Sequence, residues 1–166
     1  MEQARPNNDW HNMTTIIGID PGKTGAIAII HRDELQLLAK LPDRRVLSDW
    51  LSDWQTFRPR VYVEHVSAGG RLNAEGRTMG ASSAFTFGVG YGTILGIIAA
   101  HRMLLDLVRP QRWIADMGLT RCGKDAHAAM ARQLHPDAKV HKYAADAVLI
   151  AEWGRRQAIE QTEEMP

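Results

Sequence analysis

Residues Ile16 to Ile30 read IIGIDPGKTGAIAII. Two runs of branched apolar residues flank a Pro-Gly turn, and the first run ends on a single carboxylate, Asp20. The runs read as buried strands, Thr15–Ile19 and Ala26–His31, joined by the tight reversal Pro21-Gly22-Lys23-Thr24-Gly25. Burying an ionised carboxylate without a partner is costly. Asp20 therefore predicts a partner at the end of the first strand.

Working outward, Leu35–Leu41 reads as a third, more alternating strand. Leu47, Trp50, Leu51 and Trp54 fall at helical spacing within about Pro42–Phe57 and place both tryptophans in the core. RVYVEH, Arg60–His65, is a fourth strand, and the glycine-rich Ser67–Gly80 is a loop. Ala81–Arg102 reads as a helix in spite of its glycines. Leu104–Val108 is a fifth strand stopped by Pro110, and Lys124–Leu134 and Tyr143–Arg156 are helices. The first three strands can pair as antiparallel hairpins, while the later ones alternate with helices and imply parallel crossovers. The fold class is α/β, with a mixed five-stranded sheet flanked by helices. Residues 14–157 are expected to form one domain, with 1–13 and 158–166 as flexible tails.

The 166 residues carry a formal net charge of +1, so no global charge announces a nucleic-acid partner. The single cysteine, Cys122, excludes an intrachain disulfide and suits a reducing cytoplasm. The polar first thirteen residues lack the apolar core of a signal peptide. Gly88, Gly92 and Gly96 recur every four residues within Ala81–Ala100, the spacing of a membrane dimer motif. Ser82, Ser83, Thr86 and Thr93 in the same stretch, and the lack of a second hydrophobic segment, favour a soluble helix. The glycines share a face and predict close backbone packing, against the sheet or a second copy of the chain.

Two further acids stand in apolar settings: Glu64 near the end of VYVEHV, and Asp146 in YAADAVLIAEW. If strands one and four are parallel neighbours, Asp20 and Glu64 emerge at one sheet edge. Isolated acids from scattered elements fit a shared Mg²⁺ or Mn²⁺ site. A competing reading takes Asp-Pro-Gly-Lys-Thr-Gly as the phosphate hairpin of the sugar-kinase and actin-like ATPases. Those proteins need two related lobes, and no second hairpin is present. The Walker pattern fails as well, because Gly22-Lys23-Thr24 lacks the required earlier glycine.

The motifs together resemble the RuvC-type Holliday junction resolvases, which have a ribonuclease-H-like fold. The anchors are GIDPG at Gly18–Gly22, VEH at Val63–His65, SAFTFGVGYG at Ser83–Gly92, GKDAHAAMARQLHP at Gly123–Pro136 and AADAVLIA at Ala144–Ala151. They span about Ile16–Arg156, and the Phe-Thr-Phe-Gly-Val-Gly-Tyr-Gly segment looks closest to the phage and chloroplast branch. The resemblance implies a homodimeric endonuclease that nicks four-way DNA junctions symmetrically with paired divalent cations, Mg²⁺ or Mn²⁺. It implies the cytoplasm of a bacterial or phage-infected cell, or an organelle. Carried over by position, Asp20, Glu64 and Asp146 are metal ligands, and Lys124 sets an ammonium beside the scissile phosphate. The family's usual fourth ligand lies about one helical turn before the last acid, where this chain has Lys142 and Tyr143. His141 is the nearest substitute and reaches the site only if the helix begins after it. Two alternatives stay open: a less selective nuclease for flaps, forks or RNA–DNA hybrids, and a non-catalytic junction-binding protein.

Between Arg109 and Lys124 the basic residues are Arg109, Arg112, Arg121 and Lys124, against one acid, Asp116. With Lys142, and with Arg71 and Arg77 of the glycine-rich loop, they are the expected DNA phosphate contacts. Trp113 is open between packing and DNA contact. Of Phe85, Phe87 and Tyr91, at least two are expected in the core. Cys122 has no Cys-His arrangement that would make it a nucleophile.

Overall fold

The computed structural model describes residues 15–22, 24–66 and 80–163, with side chains to residue 160. The expected loop at residues 67–79, with Arg71 and Arg77, and Lys23 of the first turn lie outside the described residues.

The two apolar runs form β1 (Thr15–Asp20) and β2 (Ala26–His31), paired antiparallel from Thr15↔His31 to Asp20↔Ala26. The turn between them closes where the Gly25 N–H donates to the Gly22 carbonyl at 2.8 Å. A Cβ at Gly25 would stand 2.2 Å from the Asp20 carbonyl oxygen, so no other residue fits there. Next come β3 (Glu34–Lys40), α1 (Arg44–Trp54) and β4 (Arg60–Glu64). They are followed by α2 (Ala81–Ala100), β5 (Leu104–Val108), α3 (Pro110–Asp116), α4 (Lys124–Leu134) and α5 (Ala145–Glu163). One five-stranded sheet has the order β3-β2-β1-β4-β5. β3 and β2 join β1 antiparallel, whereas β4 pairs parallel with β1 and β5 parallel with β4. The mixed sheet read from the sequence is the one observed.

Strand alternation divides the apolar residues between two cores. Ile16, Ala28, Ile30, Tyr62 and Val108 pack with Trp113 of α3, Ala128 and Ala131 of α4, and the small face of α5. Ile17, Ile19, Ile27, Ile29, Val61 and Val63 pack with Leu47 and Leu51 of α1 and Ile94 and Ile98 of α2. Gly18 sits on the first of these faces, directly under α5. A Cβ there would lie 2.3 Å from the Ala147 carbonyl oxygen and 2.5 Å from the Ala151 nitrogen. The missing side chain lets the α5 backbone rest on β1 and brings the start of α5 to the end of that strand.

Three elements differ from the sequence reading. Pro110 ends β5 but also opens α3, because a first-turn proline gives up only an N–H that has no helical partner. α5 continues to Glu163 rather than stopping at Arg156, since residues 157–163 hold neither glycine nor proline. α2 is mostly exposed: only Ile94 and Ile98 are buried, Phe85 is 75% exposed, and Phe87 and Tyr91 are half-buried. The expected core role for two of those three aromatics is therefore only half met, by contacts of Tyr91 with the second cluster. Trp50 and Trp54 are likewise half-buried, at the edge of that cluster. Nothing among the described residues lies within 4 Å of a Cβ placed at Gly88, Gly92 or Gly96, so their face does not pack on the sheet. By length and composition alone α2 could cross a membrane.

Candidate active site

Asp20 ends β1, and its alternation puts its side chain on the α5 face with Ile16 and Gly18. β4 pairs parallel with β1 through Ile19↔Val63, so Glu64 lies level with Asp20 one residue further on. Glu64 shares its face with Tyr62, again the α5 side. Asp146 occupies the first turn of α5, where the positive end of the helix dipole favours a carboxylate. The three acids expected from the sequence thus stand at one edge of the sheet, on one face. Asp20 is half-buried, and Glu64 and Asp146 are 5% and 6% exposed.

Each acid is held by a different donor. The Gly22 N–H donates to Asp20 Oδ1 at 2.9 Å, an Asx turn that fixes the carboxylate as the chain reverses. Trp113 Nε1–H donates to Glu64 Oε2 at 3.0 Å, in a fully buried contact. This answers the open role of Trp113: it is core, with its polar atom spent on a site acid. Asp146 has two partners. His127 Nδ1 lies 2.8 Å from Oδ1, and Lys124 Nζ forms an ion pair with Oδ2. A carboxylate only accepts, so His127 Nδ1 carries the proton in that bond. The Trp113 and His127 rings meet edge to face, with centroids 5.6 Å apart.

His127 is the site residue that sequence reasoning missed. It lies three residues after Lys124 on α4, the spacing that brings two side chains onto one helix face. That signal was available once Lys124 was placed. Trp113 carried no such signal, because α3 itself was unforeseen.

The donor set fits a hard divalent cation in kind: three carboxylates, supplied by β1, β4 and α5. Among the described residues, no group of three or more His, Cys, Asp or Glu side chains closes into a metal cage. The acids share an edge while each is engaged by protein donors.

The remaining expected residues spread around this edge. His141 caps the short 3-10 turn Lys142–Ala144 that leads into α5, so the α-helix does begin after it. Its ring is exposed and stacks on Tyr143 at 5.5 Å, while Lys124 and His127 hold Asp146. Lys142 pairs with Asp125 at 2.7 Å and ties that turn to the first turn of α4. Arg109 precedes α3 and Arg112 lies over the Trp153 ring at 5.4 Å. Both border a cavity of 520 Å³ beside β5. Arg121 is exposed in the turn before α4, with φ +63°. Cys122 is exposed and free.

No protein-family model and no curated protein matches the chain. Among solved structures it is similar to RuvC from Thermus thermophilus, with a TM-score of 0.64 and 19% identity over 90% of this chain and 98% of that one. It is similar also to T. thermophilus RuvC in complex with Holliday junction substrate, with a TM-score of 0.63, 19% identity and coverage of 90% and 97%. The chain therefore has the RuvC-type, ribonuclease-H-like fold that its motifs imply.

Proposed function

We propose that this protein is a metal-dependent endonuclease that cuts four-way DNA junctions. The observation that carries the reading is the convergence of Asp20, Glu64 and Asp146 on one sheet edge, with Lys124 at Asp146, within a RuvC-type fold. Asp20, Glu64 and Asp146 would hold Mg²⁺ or Mn²⁺. When bound, such cations activate water and stabilise the leaving oxygen of a phosphodiester. The protein's own part is positioning and charge. The Asx turn at Gly22 aims Asp20 out of the strand end. Lys124, largely solvent-exposed on its side chain, can swing from Asp146 to a phosphate oxygen and offset charge there. Arg109, Arg112 and Arg121 would follow the backbone of the DNA arms, giving affinity without reading sequence.

Two symmetric nicks need two sites, so the working unit would be a homodimer. The exposed apolar face of α2, with Phe85, Val89 and the open glycine row, supports an interface between two copies. The test is cleavage of end-labelled four-way, three-way, flap and linear DNA with and without Mg²⁺ or Mn²⁺. Paired nicks at symmetric positions, confined to four-way DNA and requiring the cation, are the expected result. Binding without cutting would favour a junction-binding protein, and equal cutting of all substrates a less selective nuclease.

A further inference from the structure

Glu64 and Asp146 are almost wholly buried, and the residues that hold them are an indole and an imidazole in mutual contact. Trp113 comes from α3 and His127 from α4, neither of which supplies a site acid. As volume, either ring could be replaced by an apolar side chain. The polar atoms are the specific feature: Trp113 Nε1–H reaches Glu64 Oε2 at 3.0 Å, and His127 Nδ1 reaches Asp146 Oδ1 at 2.8 Å. The two rings meet edge to face, so each donor is packed against the other.

The other partner of Asp146 differs in kind. The Lys124 side chain is 60% exposed, and its ammonium can leave the carboxylate and be rehydrated. The His127 side chain is 6% exposed, and its Nε2 has no hydrogen-bond partner among the described residues. Breaking the Nδ1 bond would leave a buried ring nitrogen and a buried carboxylate oxygen unpaired together. One bond at Asp146 is exchangeable and the other is fixed.

We propose that Trp113 and His127 act as a positioning pair that holds Glu64 and Asp146 in the orientation needed to take a divalent cation, while Lys124 is the exchangeable partner. The pair acts through the carboxylates and does not itself touch the cation or the DNA. The inference rests on the reading of Glu64 and Asp146 as metal-holding residues. Outer donors of this type govern ligand orientation, and their loss commonly weakens metal affinity about 10–100-fold.

The test uses the full chain and the variants Trp113→Phe, His127→Leu and His127→Asn. The asparagine amide can place an N–H where His127 Nδ1 stood, whereas leucine cannot. Calorimetric titration of DNA-free protein with Mn²⁺ gives the affinity, and single-turnover cleavage of saturating four-way DNA gives the rate. Trp113→Phe and His127→Leu are expected to weaken Mn²⁺ binding about tenfold or more. The cleavage rate should fall with it while junction affinity is unchanged, and His127→Asn should recover much of the loss. Should His127→Leu fail to fold, Trp113→Phe and His127→Asn still carry the comparison. Variants with wild-type Mn²⁺ affinity and rate would overturn the proposal, as would an asparagine variant no better than leucine. A directly bound ¹⁴N in the Mn²⁺ electron spin echo spectrum, lost in His127→Leu, would also overturn it by making His127 a ligand. Wild-type protein that binds no Mn²⁺ would instead remove the metal-holding role of the carboxylates, a different failure from variants that match a metal-binding wild type.

Discussion

Asp20, Glu64 and Asp146, the proposed metal-holding acids, are each held in a way set by where they sit in the chain. Asp20 both closes the first turn through the Gly22 N–H and presents its carboxylate at the strand end. Its replacement by Asn, like Glu64→Gln or Asp146→Asn, is expected to abolish cleavage while leaving junction binding intact by gel shift. Full cleavage by any one variant would take that residue out of the catalytic set. Lys124→Ala is expected to lower the single-turnover rate on saturating junction about 100-fold, the scale at which removal of one charge-stabilising donor is felt. A third buried acid, Glu152, serves stability. Burial pushes its carboxyl up, but the His135 contact at 2.9 Å and the Arg155 guanidinium outweigh this and hold it below its ordinary 4.5. Arg155 also reaches Asp33 in the β2–β3 turn. A depressed folded value means that the contribution is complete above the ordinary carboxylate value and is lost as pH falls through the folded one. Urea midpoints should therefore drop on acidification more for the wild type than for Glu152→Gln. The three candidate acids could be singled out in the sequence because each breaks an apolar pattern. Trp113 could not, because a tryptophan among apolar residues looks like core and α3 was hidden; His127 had only its spacing from Lys124 to mark it, and both donors find the acids only after the chain has folded.

At the scale of elements, the site depends on how α5 meets β1. Gly18 is the residue that permits it, since a Cβ there would overlap the Ala147 carbonyl and the Ala151 nitrogen. Gly18→Ala is expected to cost about 1–3 kcal/mol of stability, or more, because backbone rather than a flexible side chain must give way. Denaturant titration reads this directly, and a variant as stable as the wild type would mean that α5 does not seat on β1 in this way. β1, β2, β4, β5 and α4 were legible in the sequence because their apolar periods and their glycine and proline stops agree. The α3 helix was hidden by Pro110, which signals an end and a beginning at once. The depth of α2 was hidden for another reason. Its composition is apolar all round, and hydropathy alone does not separate a face that meets the core from a face left exposed. The glycine row gives a discriminating test. With open space around Gly92, substitution by Leu should leave an isolated chain folded. It should convert a dimer formed through α2 into monomers in sedimentation velocity. An unchanged sedimentation coefficient would move the interface elsewhere.

The whole molecule places three acids, two of them buried, at one edge of the sheet in a near-neutral protein with a local excess of positive charge in Arg109, Arg112, Arg121 and Lys124. If these residues follow DNA phosphates as proposed, the logarithm of junction affinity should fall linearly with the logarithm of salt concentration. A flat response would argue against it. The fold explains why acids far apart in sequence share one edge: parallel β1 and β4 bring two of them there, and the chain returns through β5, α3 and α4 so that α5 can add the third. The claim that joins these levels is that this edge cuts branched DNA with the help of a divalent cation. The most direct measurement is the cleavage of a four-way junction labelled on each strand in turn, with Mg²⁺ or Mn²⁺ present and then removed by chelation. The account predicts paired nicks in opposing strands, at symmetric positions, that vanish with the cation and with Asp146→Asn. Absence of nicks under all cation conditions, or nicks that persist in Asp146→Asn, would contradict it.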